Sequence, residues 1–167
     1  MELLKRADIS QLKTIIENIK TGILFTRSAN NELKGRPMTT VQVDSNGHLW
    51  FFTNEFSGNV HEICKNNKVF LNYANPFINT YAVVNGKAYL TREINKMNEL
   101  YTPYIKTWFP AGLNDPNLLL IRIEPDEVEY WNGNSGKIVT SSKLFSGMSS
   151  DDEFINGNVK KAHLNYL

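Results

Sequence analysis

The amino-acid sequence predicts an α+β fold in which helices flank an antiparallel β-barrel. The first observation is a helical stripe of apolar residues near the start of the chain, formed by Ile9, Leu12, Ile15, Ile16 and Ile19. The second is a series of strand-length segments, rich in β-branched and aromatic residues, that follow one another through short connections. The third is Asn46-Gly47, a strong signal for a tight hairpin. Such connections favour an antiparallel barrel over a doubly wound parallel sheet.

Length and composition fit one domain over residues 1–167, with no clear pattern in the tail from 132 to 167. Lys and Arg total 18 against 17 Asp and Glu, which argues against a broad basic face for nucleic acid. The apolar runs are too short to span a membrane, and the first residues lack the apolar segment of a signal peptide. Because Cys64 is the single cysteine, we expect a cytoplasmic protein without disulfides. The three histidines are not spaced as metal ligands, so we expect no metal site.

The predicted elements follow one another in an order that supports the barrel. The first helix is expected to use Asp8 as its N-cap and to end before Gly22. A second helix starts near Ser57, and its apolar side is expected to bury Cys64. The predicted strands cover residues 23–26, 36–44, 48–54, 69–73, 80–91, 118–123 and 127–131.

Glycine and proline residues predict three irregularities. Gly86, inside the segment 80–91, indicates a bulge or a close approach of two backbones. Pro103 interrupts the aromatic-rich segment 95–108, which is therefore expected to form two short helices or a kinked one. Pro125 is expected to bend the chain between the last two strands.

The junction between the strand 48–54 and the second helix is a candidate anion site. The hydroxyl groups of Thr53 and Ser57 lie close to it in sequence. The first backbone N–H groups of the helix, at Gly58, Asn59 and Val60, have no acceptor within the helix and can bind a small anion. The alternative is that Ser57 only caps the helix, as most such residues do.

Arg36 is a second candidate for the same site. It begins a strand that the Asn-Gly hairpin pairs with the strand 48–54, and antiparallel pairing brings Arg36 to the end of the sheet where Thr53 lies. The planar fork of an arginine suits a phosphate group. The alternative is a surface arginine paired with Glu32 or Glu55.

Several aromatic residues could either pack in a core or stack on a planar ligand. They are Trp108 and Phe109, which precede Pro110 and Gly112 in a rigid loop, together with Tyr81 and Trp131. The sequence has no glycine-rich dinucleotide or nucleotide-phosphate motif and no nucleophile elbow, so any cofactor must be held in another way.

These features, in this order, resemble the pyridoxamine 5′-phosphate oxidase-like FMN-binding split barrels, in particular their bacterial general stress protein branch. The segments that carry the resemblance are GRPM at 35–38, LWFFTNEFS at 49–57, TYAVVNGKAYL at 80–90 and WFPAGLNDPNLLLIRIEPDEVEYW at 108–131. The tail, from 136–139 to 157–158, is similar to the closing segment of the family. The resemblance therefore covers nearly the whole chain.

The resemblance implies a six-stranded antiparallel split β-barrel of Greek-key topology, a homodimer, and FMN at the subunit interface. Residues 36–39 would line the isoalloxazine ring, 52–53 the ribityl and phosphate region, and 57–59 the phosphate, while Tyr81 would come from the other subunit and Trp108 would cover the ring. The residues implied to contact FMN are thus Arg36, Pro37, Met38, Thr39, Phe52, Thr53, Ser57, Gly58, Asn59, Tyr81 and Trp108.

One position departs from the family pattern. The family commonly has a basic residue two positions after the loop serine, where this sequence has Asn59, and Gly58 replaces an often larger or basic residue. Loss of a charge-assisted hydrogen bond would weaken FMN binding by about 1–3 kcal/mol, unless His61 or Lys65 compensates.

The resemblance implies an FMN-dependent oxidoreductase of the general stress type, in which the flavin supplies the hydride chemistry. No side chain stands out as a general acid or base, so catalytic residues are not assigned, and neither the substrate nor the electron donor can be inferred. Vitamin B6 oxidation is not expected, because the family's paired substrate-phosphate Arg and His are missing near the C-terminus. The alternatives are a non-enzymatic flavin-binding or flavin-buffering protein, a split barrel that binds haem or a deazaflavin, and a protein with no ligand.

Overall fold

The computed structural model describes the backbone of residues 2–134, 137–139, 152–153 and 160–161, and the side chains of residues 9–131. Its α-helices are α1 (Glu2–Ile19), α2 (Gly58–Lys65) and α3 (Ile94–Leu100), and 3₁₀ helices cover Pro76–Ile78, Pro103–Thr107 and Gly112–Asn114. Its strands are β1 (Thr21–Arg27), β2 (Leu33–Thr39), β3 (Gln42–Val43), β4 (Leu49–Asn54), β5 (Lys68–Asn75), β6 (Thr80–Thr91), β7 (Leu118–Asn134), β8 (Lys137–Val139), β9 (Asp152–Glu153) and β10 (Lys160–Lys161). Most of the predicted tail, 132–167, lies outside the described residues.

The main sheet is antiparallel and curls toward closure. Its strands run in the order β2-β1-β5-β6-β7-β4-β3, and β8 pairs with β7. The edge strands β2 and β3 are joined by only two residues of chain, Thr40 and Val41. Because so short a connection links opposite edges, those edges must lie close together, as in a barrel. The predicted α+β fold with an antiparallel barrel is confirmed, with seven strands along this path rather than six.

The segment 36–44 is two strands, not the single one predicted, whereas the predicted strands 118–123 and 127–131 are one strand, β7. Residues 33–39 pair with β1, from Arg27↔Leu33 to Thr21↔Thr39, whereas Gln42 and Val43 pair with β4. Between them, the Thr40 N–H donates to the Lys20 carbonyl and the Val41 N–H to the Trp50 carbonyl. The alternation of residue types continued through this crossover, so the sequence pattern did not reveal it.

Helix α1 packs against β3, β5 and β6 and fills the interior of the curled sheet. The predicted stripe is confirmed, since Leu12 and Ile16 are fully buried. The helix begins at Glu2, so Asp8 lies inside it and the predicted N-cap is wrong. Its end is marked by Lys20 in the left-handed conformation (φ 64°) rather than by Gly22, which belongs to β1.

Two apolar clusters lie on opposite faces of the sheet, and β4 contributes to both. Leu49 and Phe51 point into the larger cluster under α1, whereas Trp50 and Phe52 point into a smaller one with α3 and the following 3₁₀ helix. The side chains of β4 from Leu49 to Thr53 are therefore all buried. Burial on both faces gives this strand a rigid position, and it leads directly to the candidate site.

Strands β6 and β7 carry the predicted irregularity at Gly86. Their register shifts there, with Gly86 opposite Pro125, and a Cβ on Gly86 would lie 2.4 Å from the Glu124 carbonyl oxygen. Both a bulge and a close backbone approach are thus confirmed. Pro125 does not separate two strands as predicted, because β7 continues through it; the bulge tolerates a residue without an N–H donor.

Three further predictions from the sequence concern the loops and helices. The turn at Asp44–Gly47 has a left-handed Gly47 (φ 84°) whose N–H donates to the Asp44 carbonyl, so the predicted hairpin is confirmed. Pro103 starts a second, 3₁₀ helix after α3, as expected. Cys64 is exposed, which corrects the predicted core position, because the buried side of α2 is formed by Asn59, Val60, Glu62 and Ile63. No helix of the described residues is long and apolar enough to cross a membrane.

Candidate functional site

The site begins at the sharp turn between β4 and α2. The Asn54 carbonyl accepts the Ser57 N–H at 2.9 Å, and the Asn54 side-chain oxygen accepts the Phe56 N–H at 2.9 Å. The Glu55 N–H donates to the Asn117 carbonyl at 2.7 Å, which ties the turn to the segment before β7. These bonds hold Thr53, at the end of β4, beside the first turn of α2.

Three polar side chains converge at the start of α2. The Asn59 Oδ1 atom accepts hydrogen bonds from the Val60 N–H at 2.8 Å, from the Thr53 hydroxyl at 3.3 Å and from the Ser57 hydroxyl. Ser57 occupies the N-cap position with extended backbone, but its side chain makes no capping hydrogen bond. The simple alternative, in which the Ser57 hydroxyl serves only to cap the helix, therefore does not describe this arrangement.

Asn59 is itself buried, with 2% of its surface exposed. Its amide nitrogen faces the Met38 sulfur on β2 at 3.6 Å, so Met38 lies against the same corner of the site. Because the Asn59 side chain is turned inward, only its backbone N–H can be offered to a ligand. His61 and Lys65, the basic residues that could compensate for the family's missing cation, are both exposed on α2.

Arg36 reaches the site through an ion pair that the sequence analysis did not anticipate. Its Nη1 donates to the Glu62 Oε2 atom at 2.7 Å and to the Thr26 hydroxyl at 3.0 Å, and its Nη2 donates to Glu62 Oε1 at 3.1 Å. Thr26 also donates to Glu62 Oε2. Of the alternatives, Glu55 pairs instead with Arg92 at 2.6 Å. In the sequence, the available signal for this ion pair was an acidic residue, Glu62, on the buried side of α2.

Glu62 is buried, whereas the Arg36 side chain is 31% exposed. The hydrogen bonds from Arg36 hold the pKa of the Glu62 carboxyl below its usual value and outweigh the opposing effect of burial. Glu62 is therefore ionised at neutral pH, and its charge fixes the orientation of the guanidinium. An ionised carboxylate held in this way is not available as a general base.

The guanidinium lies directly over the first residue of α2. A Cβ atom on Gly58 would be 2.8 Å from Arg36 Nη2, so the absence of a side chain makes room for the cation. The predicted meeting of Arg36 with the helix start thus occurs, but by another route. Arg36 faces Leu24 across β1 and β2, and α2 packs on β1, so β1 brings the two together.

The remaining predicted residues lie on β2, β4 and β6. Pro37 and Thr39 continue β2, where the Thr39 hydroxyl lies 3.2 Å from that of Thr21. Phe52 is buried in the smaller apolar cluster. Tyr81 lies on β6 opposite Trp131. Across residues 9–131, Tyr81 makes no hydrogen bond to the groups at the start of α2.

The loop after α3 resolves one ambiguity among the aromatic residues. Phe109 is half-buried and packs against the smaller apolar cluster, so it is a core residue. Trp108, by contrast, is 63% exposed. Its ring is therefore free to cover a ligand or to pack against a second molecule. Among the described residues, no group of three or more His, Cys, Asp or Glu side chains could hold a metal ion.

Comparison with known proteins identifies the class to which this fold and site belong. The family model described as pyridoxamine 5′-phosphate oxidase like matches residues 7–152, and the chain belongs to that family. The resemblance predicted from the sequence is thereby confirmed. Among curated proteins, Protein bli-3 of Neurospora crassa is 25% identical over 132 residues, a match that covers 73% of this chain. The chain spans 63% of that relative's length.

Solved structures of bacterial stress proteins share the fold. General stress protein 26 from Bacillus anthracis is 26% identical with a TM-score of 0.65, covering 73% of this chain and 92% of that one. The general stress FMN/FAD binding protein from Xanthomonas citri is 22% identical with a TM-score of 0.65, covering 89% and 97%. A protein related to general stress protein 26 from Clostridium acetobutylicum is 19% identical, also with a TM-score of 0.65, covering 76% and 89%. These neighbours confirm the split-barrel fold.

Proposed function

We propose that this protein binds FMN by its phosphate group at the start of α2 and acts as a flavin-dependent oxidoreductase. The observation that carries the proposal is the position of Arg36, whose Nη2 occupies the space that a Gly58 side chain would fill. A guanidinium over a helix N-terminus, beside two hydroxyl groups, matches the chemistry of a phosphate monoester. Family membership and the FMN/FAD binding protein from Xanthomonas citri, which shares the fold, point to the same class of ligand.

The phosphate contacts follow from the groups present. Arg36 supplies a cation, the backbone N–H groups of Gly58 and Asn59 point from the helix start, and the Ser57 and Thr53 hydroxyls lie 3.1 Å apart. Both hydroxyls donate to Asn59 Oδ1, and rotation about their C–O bonds would redirect them toward a ligand. The partial positive charge of the helix start adds to the attraction.

We assign the flavin ring to the surface beside residues 36–39 and near Phe52, at an interface between two copies of the chain. Tyr81 would come from the partner subunit, and Trp108 would cover the ring. This assignment is supported by the exposed aromatic side chains, since Phe56 is 78% and Trp108 63% exposed. Contiguous exposed apolar patches mark interaction sites, and the proposal requires Phe56 and Trp108 to become covered in the dimer.

The chain's own residues position the cofactor rather than transfer protons. When bound, the flavin supplies hydride transfer between a donor and a substrate. Arg36 and the helix start would hold its phosphate end, and the burial of β4 on both faces would give the residues beside the ring a fixed position. Glu62 is tied to Arg36 and does not act as a base.

The first test is the visible spectrum of the freshly purified protein, followed by titration of the apo-protein with FMN. We expect a flavin spectrum, a dimer by sedimentation, and FMN reduction by NADPH or NADH above the rate of free flavin. Replacing Arg36 with alanine should weaken FMN binding at least tenfold but leave riboflavin binding unchanged, because riboflavin lacks the phosphate. The matched control is Arg27→Ala on β1, whose guanidinium bonds, within the part of the chain whose side chains are described, to Asn31 alone.

Other outcomes would replace the proposal in defined ways. Bound flavin without reduction above background indicates a flavin-binding or flavin-buffering protein that is not an enzyme. A Soret band indicates haem, and a deazaflavin has its own absorption maximum. A colourless protein that does not bind FMN overturns the proposal.

A further inference from the structure

We propose that Glu62 is a positioning residue that aims Arg36 at the ligand phosphate and reduces the positive charge the site offers to it. This inference rests on the proposed function, because it concerns the phosphate end of the flavin. Glu62 lies one turn after Gly58 on the buried side of α2, and it binds the guanidinium through both Nη atoms.

The donors of Arg36 divide into two sets. A guanidinium has five N–H groups, and three of them are used within the protein: two on Nη1, to Thr26 and Glu62, and one on Nη2, to Glu62. The second Nη2 hydrogen and the Nε hydrogen have no acceptor among the described residues. These two donors point in parallel and form a fork that fits two oxygens of a phosphate.

The free fork, formed by Nη2 and Nε, lies beside the first residue of α2. The Nη2 and Nε atoms are 2.8 and 3.8 Å from the position that a Gly58 Cβ would occupy. The carboxylate of Glu62 holds both Nη atoms, so the guanidinium cannot turn its Nη2–Nε edge away from Gly58 while the pair is intact. Glu62 therefore fixes which donors a ligand meets.

Glu62 also changes the electrostatics of the site. Its negative charge lies 2.7 Å from Arg36 Nη1, and the other side chains at the helix start, Ser57, Thr53 and Asn59, are neutral. A phosphate monoester carries between one and two negative charges at neutral pH. The site thus holds such a group with good geometry but with less net positive charge than an unpaired arginine would give.

Two substitutions separate the two effects. In Glu62→Gln the side-chain oxygen still accepts a hydrogen bond from Arg36 while the negative charge is removed, so FMN affinity should rise about tenfold. In Glu62→Ala both acceptors are lost and the guanidinium is free to turn, so FMN affinity should fall about tenfold below that of Glu62→Gln. Riboflavin affinity should change less than twofold in either variant. Glu55→Gln, at an exposed glutamate paired with Arg92 in the preceding turn, is the matched control and should bind FMN as the parent does.

Each result decides a part of the proposal. FMN affinity that is unchanged in Glu62→Gln overturns the electrostatic role, and equal affinities in the Gln and Ala variants overturn the positioning role. Parallel changes in riboflavin affinity overturn both, because the effect then does not act through the phosphate. If the parent protein binds neither flavin, the proposed function fails. The same comparison is then made with inorganic phosphate, where tighter binding by Glu62→Gln than by both the parent and Glu62→Ala supports the role of Glu62 and any other result refutes it.

Discussion

Gly58 offers the sharpest test of the site, because a side chain there cannot share space with the Arg36 guanidinium. In Gly58→Ala the new Cβ would lie 2.8 Å from Nη2 and 3.5 Å from Cζ. The guanidinium is the end of a flexible side chain, but it is held by Glu62 and Thr26 and cannot retreat without lengthening those bonds. We therefore expect the substitution to act on the phosphate site through Arg36.

The size of the effect follows from the distances. Ordinary contact with a Cβ begins at 3.4 Å, so Nη2 must move by about 0.6 Å. The bond from Nη2 to Glu62 is already 3.1 Å long and would be lost or greatly weakened. Hydrogen bonds to charged groups contribute roughly 1.5–3 kcal/mol. Since the Arg36 side chain is partly solvated, we expect a loss of about 1 kcal/mol in the free energy of unfolding. The displaced donor fork should weaken FMN binding by about 1–2 kcal/mol, or 5–30-fold.

The assay combines flavin titration with a double-mutant cycle. FMN and riboflavin binding are measured by quenching of flavin fluorescence in the parent, Gly58→Ala, Arg36→Ala and the double variant. Gly58→Ala should lower FMN affinity only where Arg36 is present, and riboflavin affinity should stay constant. The reasoning is refuted if Gly58→Ala binds FMN like the parent, or if its effect is equally large without Arg36.

Three further predictions concern stability and the family's missing basic residue. Asn59→Lys should raise FMN affinity about tenfold by restoring a cation, but should lower the free energy of unfolding by about 1–3 kcal/mol, because three donors lose the Asn59 acceptor; unchanged affinity in a titration contradicts this. Gly22→Ala should destabilise the fold by about 1–3 kcal/mol in urea denaturation, since its Cβ would lie 2.7 Å from the buried Tyr73 ring, and a neutral result would mean that the ring moves freely. Arg36 holds the pKa of Glu62 below its usual value of 4.5, so the ionised carboxylate stabilises the fold above that pH and the contribution is lost as pH falls further. Glu62→Gln should accordingly lower Tm by about 2–4 °C at pH 7 and by less at pH 3, and an equal loss at both values would disprove the linkage.

The fold and the proposed function could be predicted from the sequence to different degrees. The helical stripe of α1, the turn at Asp44–Gly47 and the bulge at Gly86 each depend on neighbours in the chain, and all three occur as predicted. The misplaced N-cap at Asp8 and the exposed Cys64 show the limit of that approach. Whether a helix extends one more turn, or which way it rotates, is decided by what it packs against.

By itself, the sequence determined the class of fold and the strand-to-helix junction that carries the candidate phosphate site. Both follow from local patterns: alternating burial, turn residues, and a hydroxyl followed by a helix start. Only the tertiary structure decided that Arg36 is held by Glu62 and Thr26 and lies over Gly58. These residues come from β1, β2 and α2, and their meeting depends on the strand order in the sheet and on the placement of α2 against β1. No pattern along the chain encodes the distance between Arg36 and Gly58, because the closure of the barrel sets it.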